Sequence, residues 1–155
     1  MSKTESGAKK AGKALTAFVI LILIAVLAVS KFIGGQDTAA LKYCSAVASA
    51  NFKEYVKTVP PDDVYAGGSE SDFKAACQSR LRGLPEFSEL EETDNLSANV
   101  KITEHKINGS LTEWICTADI DFFCSGNSVS YDGVSIAMSF SGGKWIIIST
   151  EPNVF

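Results

Sequence analysis

The chain predicts an α+β domain behind an N-terminal transmembrane helix, with about three helices followed by a four-stranded antiparallel sheet. Three observations carry this. A long apolar run lies near the N-terminus, apolar residues then recur at helical spacing as far as Arg82, and after Leu96 the pattern changes to a period of two.

With 155 residues, 46% of them hydrophobic, the chain supports one modest core and not two. The formal net charge of -4 is divided unevenly: Met1 to Gly35 carries five lysines (3, 9, 10, 13 and 31) against Glu5, leaving nine basic and seventeen acidic residues in the rest. A basic head and an acidic body argue against nucleic acid as a partner, since phosphate binding needs a basic face on the folded part.

Residues 15–33 read LTAFVILILIAVLAVSKFI, interrupted by Thr16, Ser30 and Lys31. Nineteen helical residues span roughly 28 Å, close to the ~30 Å hydrocarbon core. Lys9, Lys10 and Lys13 precede the run, so the positive-inside bias puts residues 1–14 in the cytoplasm as a basic tail and residues 34–155 outside as an extracytoplasmic domain. Lys31, at the far end, is placed to snorkel to the interface. A cleaved signal peptide with Ala28-Val29-Ser30 as its processing site also fits, and would make the domain secreted. No lipobox cysteine follows the run, which disfavours a lipid anchor. The partner expected of residues 15–33 is the lipid bilayer, the setting a single-pass cell membrane protein.

In the exported part, Gly34 and Gly35 are expected to break the membrane helix, with Asp37 or Thr38 capping a new one over 38–49. Leu41, Cys44, Val47, Ala48 and Phe52 form its apolar stripe. Asn51 followed by Glu54 has capping-box chemistry, predicting a bend and a second helix over 52–58 that Pro60 and Pro61 stop. A third is predicted over 70–82, capped by Ser69 or Ser71 and ended by Gly83, with Phe73, Ala76, Cys77 and Leu81 inward. The stretch GLPEFSELEETDN, with Glu86, Glu89, Glu91, Glu92 and Asp94, reads as a solvated connector without calcium-loop spacing.

Four strands follow: ANVKITEHKI, EWICTADIDFFC, VSYDGVSIAMSF with a bulge at Gly133, and KWIIIST, apolar on both faces and expected to be covered. Asn108-Gly109, SGNS and SGGK supply the turns of a meander.

Cys44, Cys77, Cys116 and Cys124 are the only cysteines, and outside the cytoplasm they point to disulfides, with three pairings open. No CxxC occurs and His105 is the single histidine, so zinc and redox-dithiol chemistry lack the necessary spacing. In CTADIDFFC, Trp114, Cys116, Ala118, Ile120, Phe122 and Cys124 share one strand face and Asp119 and Asp121 the other. Eight residues of straight strand span about 26 Å, far over the ~7 Å bridging limit, so Cys116 and Cys124 would pair with Cys44 and Cys77 on the helices. A Cys44–Cys77 bridge is the alternative.

The helix-bend-helix ALKYCSAVASANFKEYVKTVPPD, the VKITEHKING hairpin and the closing VSIAMSFSGGKWIII resemble the cone-shaped, cystatin-like α+β domains of the nuclear transport factor two-like superfamily. Small membrane-anchored or lipoprotein-type bacterial members are the most similar. The resemblance covers roughly Asp37 to Thr150 and rests on packing patterns. It implies a curved four-stranded antiparallel sheet wrapped around helices with a cavity between them. Members include isomerases and dehydratases using Asp, Tyr or His there, alongside noncatalytic binding and assembly modules.

The sequence therefore leads to two functions. The first is a membrane-tethered extracytoplasmic noncatalytic binding or assembly module of the cell envelope, whose partner is an envelope protein or small ligand. The alternative is a small isomerase- or dehydratase-like enzyme using the cone cavity. Tyr43, Tyr55, Tyr65 and Tyr131 are candidates for the cavity or its rim. Asp119 and Asp121 read as the solvated side of a half-buried strand, and His105 as a base candidate on an exposed strand between Glu104 and Lys106. No hydrolase, protease or nucleotide motif is present, so no catalytic residue, metal or cofactor is expected. A pilin-like subunit shares the order of segments, but KALTA after Gly12 lacks the processing-site glutamate.

Overall fold

A computed structural model of the protein describes residues 5–90 and 95–153, with side chains from Leu15 onward except Lys31. The side chains of Lys9, Lys10, Lys13 and Lys31, and the acidic residues Glu91, Glu92 and Asp94, lie outside what is described. The chain divides into two units, Met1–Gly34 and Gly35–Phe155. The first is helical from Glu5, and every side chain from Leu15 to Ser30 is exposed. Among the described residues, this is the one helix long and apolar enough to cross a bilayer.

The second unit is α+β. Helix α1 (Glu5–Ala48) runs into it, followed by α2 (Phe52–Tyr55) and α3 (Glu70–Cys77). The glycine pair does not break α1. Glycine keeps its donor and acceptor, so in a helix interior it costs only about 1 kcal/mol. Gly35 has a packing reason as well, because a Cβ there would stand 2.9 Å from Trp145 Cδ1.

The bend near Asn51 is a Schellman turn. Asn51 N donates to Ala46 O (2.8 Å), Ala50 N to Val47 O (3.1 Å), and Ala50 takes the left-handed conformation at φ 50. Asn51 Oδ1 then accepts from Glu54 N at 3.2 Å, capping α2. Helix α2 stops at Tyr55, short of the expected 58; turn bonds replace the helical pattern, with Thr58 N donating to Tyr55 O at 2.8 Å. Ser69 caps α3, which widens into a π-turn over Gln78–Arg82 before Gly83. The connector read as solvated contains a 3₁₀ turn, Pro85–Phe87, that buries Phe87. One aromatic among acids was enough to dock it.

The sheet is an open antiparallel meander of β1 (Ser97–Asn108), β2 (Ser110–Cys124), β3 (Asn127–Ser141) and β4 (Lys144–Glu151). Its inner face carries Cys116, Ala118, Ile120 and Phe122 of β2 with Val134, Ile136 and Met138 of β3, none more than 1% exposed. Phe73, Leu81 and Phe87 of the helical layer are equally buried. At about 25 cal/mol per Å² of apolar surface, this two-sided burial is the main force closing the layers. On β4 Trp145, Ile146 and Ile147 are buried as expected, but Ile148 falls in a register shift and is exposed. The β4 edge is covered in part by the turn after α2: Ile147 N donates to Thr58 O (2.7 Å) and Lys144 Nζ to Lys57 O (2.5 Å).

Two further register shifts decide side-chain placement. Opposite Asp119 alone, β3 carries Asp132 and Gly133, and Gly133 N donates to Asp119 Oδ1 at 3.1 Å. Asp121 Oδ1 accepts from Ser130 Oγ at 2.6 Å, so both aspartates are half-buried partners of β3 and more than a solvated fringe. In β1 the pairing jumps from Ile102↔Ala118 to Glu104↔Thr117. That extra residue pairs His105 with Cys116 and turns its ring toward Gln36, while the residue itself stays exposed, as expected of this strand.

The disulfide expectation is also corrected: Cys44, Cys77, Cys116 and Cys124 are buried free thiols. Cys116 lies against Gln36 of α1, its Sγ 3.7 Å from Gln36 Oε1. Cys124 is out of reach of Cys116 along its own strand, as the strand geometry requires.

Candidate functional site

Two constellations in the second unit carry polar chemistry. The first lies where α1 meets β1 and β2. Gln36, 0% exposed, places its Oε1 2.5 Å from His105 Nδ1 and 3.7 Å from Cys116 Sγ. Cys116 Sγ is 3.5 Å from the same His105 Nδ1, and His105 Nε2 is 3.9 Å from Asp37 Oδ1. Nucleophile, base and acid thus stand in a row, the residue set of a thiol hydrolase.

Two observations close that chemistry. With Gln36 Oε1 facing it, His105 Nδ1 donates to that oxygen and has no lone pair to take the thiol proton. Cys116 is also 0% exposed, and burial pushes its thiol up to about 11, with Asp37 adding to the shift. The group ties the start of the domain helix to two strands. Gln36 Nε2 has no partner within it.

The second constellation is an open cleft of about 330 Å³ between the helical layer and the end of β4. Tyr43 of α1, Tyr55 of α2 and Tyr65 of the following loop line it with Asp63, Arg80 and Thr150. The rings of Tyr43 and Tyr55 are 5.7 Å apart and those of Tyr55 and Tyr65 6.5 Å. Helical spacing brings them together: Tyr43 lies on the buried stripe of α1, and the Schellman turn folds α2 back so that Tyr55 reaches it. Asp63 fixes the loop, its Oδ1 accepting from Tyr55 Oη and the Tyr65 and Ala66 amides, each at 3.0 Å.

Burial raises Tyr43 and Tyr55, with the neighbouring charge of Asp63 acting in the same direction, so both hydroxyls stay protonated as donors. Val64, 81% exposed, and Ile148, 50% exposed, add an apolar rim.

Of the four tyrosines singled out by sequence, three line this cleft. Tyr131 does not; it faces the inner side of β3 with its ring 6.1 Å from Phe122. Arg80 and Asp63 had no signal of their own, the one belonging to a helix end and the other to a loop after two prolines. The Gln36–His105–Cys116 group was hidden by the β1 bulge. Among the described residues, no group of three or more His, Cys, Asp or Glu side chains could hold a metal ion. No protein-family model matches the chain, and no curated protein matches its sequence.

Proposed function

We propose that this chain is a membrane-tethered, extracytoplasmic, noncatalytic binding module of the cell envelope that takes its partner at the tyrosine cleft. The observation that carries the reading is the cleft's composition: three clustered tyrosines and an arginine beside exposed Val64 and Ile148. Tyrosine and arginine next to apolar surface are the residue types that dominate binding hot spots. The closed geometry around Cys116 and the structural engagement of Asp63 favour binding over turnover. An apolar helix behind a basic tail supports the tether and its orientation.

The order of helices and meander, with four register shifts along the strand pairs, supports a curved sheet and kinship with the nuclear transport factor two-like domains. The space a cone cavity would occupy is filled at the sheet by Ile120, Phe122, Ile136 and Met138, which favours the open cleft as the seat.

A photocrosslinking residue at Val64, in intact membranes, tests the reading. A defined adduct that is lost with Arg80→Ala and not obtained from Leu111 supports it. Indiscriminate or absent labelling at Val64 counts against the cleft.

A further inference from the structure

We propose that the tip of the β1–β2 hairpin inserts into a lipid surface. The inference rests on residues 15–33 being a membrane span. Gly35 follows Ile33 by two residues, so chain connection alone keeps it within a few ångströms of the end of the apolar run.

Gly35 is packed at Trp145, whose ring is 6.3 Å from that of Trp114, and Gln36 is held by His105 and Cys116. One end of the sheet is thereby tied to the point where the chain leaves the apolar run. At its other end α1 meets the start of β1, since Ala48, Ser49 and Ala50 share a small pocket with Leu96. Following α1 backward from Ala48 to Gln36 therefore parallels β1 from Leu96 to His105. The hairpin continues past His105 in that same direction.

What lies there is apolar and exposed. Ile107 is 47% and Leu111 71% exposed, and Leu111 is set in place by Trp114 Nε1 donating to its carbonyl at 2.9 Å. Exposed aliphatic residues over a pair of tryptophans suit the interfacial zone of a bilayer, where aromatic belts gather. Lys106, next to Ile107, can reach lipid phosphate, while Glu104 and Glu113 stand at the same end. Attraction to anionic lipid is therefore secondary, and apolar insertion is the interaction proposed. Lipid is the occupant because this surface belongs to a unit joined covalently to the apolar run.

The full chain carrying Leu111→Trp or Asn127→Trp, reconstituted in phosphatidylcholine–phosphatidylglycerol vesicles with dibrominated acyl chains, provides the test. The emission added at 111 should be quenched about two-fold or more, and adding Ile107→Asp should relieve the quenching; the emission added at 127, on the opposite turn of the sheet, should be unaffected. Unquenched emission at 111, or equal quenching at 111 and 127, in a chain that resists alkaline carbonate extraction overturns this inference alone. Release by carbonate overturns the membrane-span reading and this inference with it.

Discussion

At Gly133 the backbone takes φ +68 because β3 must fit two residues opposite Asp119. No atom lies within 4 Å of the Cβ that a substitution would add, so the effect of Gly133→Ala is a backbone effect alone. It should cost about 1 kcal/mol, a fall in midpoint on the order of 4 °C in thermal unfolding, with no change in near-ultraviolet circular dichroism. An unchanged midpoint would mean the bulge relaxes freely. This bulge was readable because glycine inside an alternating strand is a signal. The bulge at Thr103 was not, since threonine is an ordinary strand residue, and its one-residue slip turned the exposed His105 toward Gln36 and Cys116. The cluster of Gln36, His105 and Cys116 was therefore illegible although each of its residues was in view.

Among the elements, the α1–α2 corner does most to assemble the cleft, since it folds Tyr55 back onto Tyr43. Ala50 is the strained position, an alanine with φ 50 where Schellman turns favour glycine. Ala50→Gly should raise stability by about 0.5–1 kcal/mol, the left-handed penalty removed less the added chain entropy. Asn51→Ala should lower it by about 1 kcal/mol through loss of the cap on Glu54 N. Thermal unfolding of the full chain in mild detergent checks both; a loss on Ala50→Gly would show that the corner is set by packing alone. The caps at Asn51 and Ser69 and the strand turns were legible because each acts locally, whereas the expected cap at Asp37 or Thr38 lies inside the continuous α1, and α2 ends before Pro60 is reached. The continuity of α1 through Gly34 and Gly35 was not legible, because a tertiary contact, Trp145 against Gly35, favours glycine at a position where local rules read a break.

Across the whole molecule, the apolar pattern foretold which face of β2 is covered but not the state of its cysteines. Pairing was inferred from compartment, whereas the geometry uses the thiols as small apolar side chains in the layer between helices and sheet. Burial pushes Cys44 and Cys77 from 9.0 up to about 12 and Cys116 to about 11. The folded chain then keeps protons that the unfolded chain releases near pH 9, so the thiol contribution is fully present below that pH. It declines as pH rises through about 11 to 12, and the raised hydroxyls of Tyr43 and Tyr55 act in the same direction above about pH 10. Unfolding midpoints measured from pH 7 to 11 should be flat at first and then fall steeply from about pH 9; a flat profile to pH 11 would contradict the buried-thiol arrangement. At pH 8 a disulfide-exchange reagent should find the native thiols inert. After unfolding without reductant it should count four per chain, whereas a count of two or none would restore the bridges expected from the sequence.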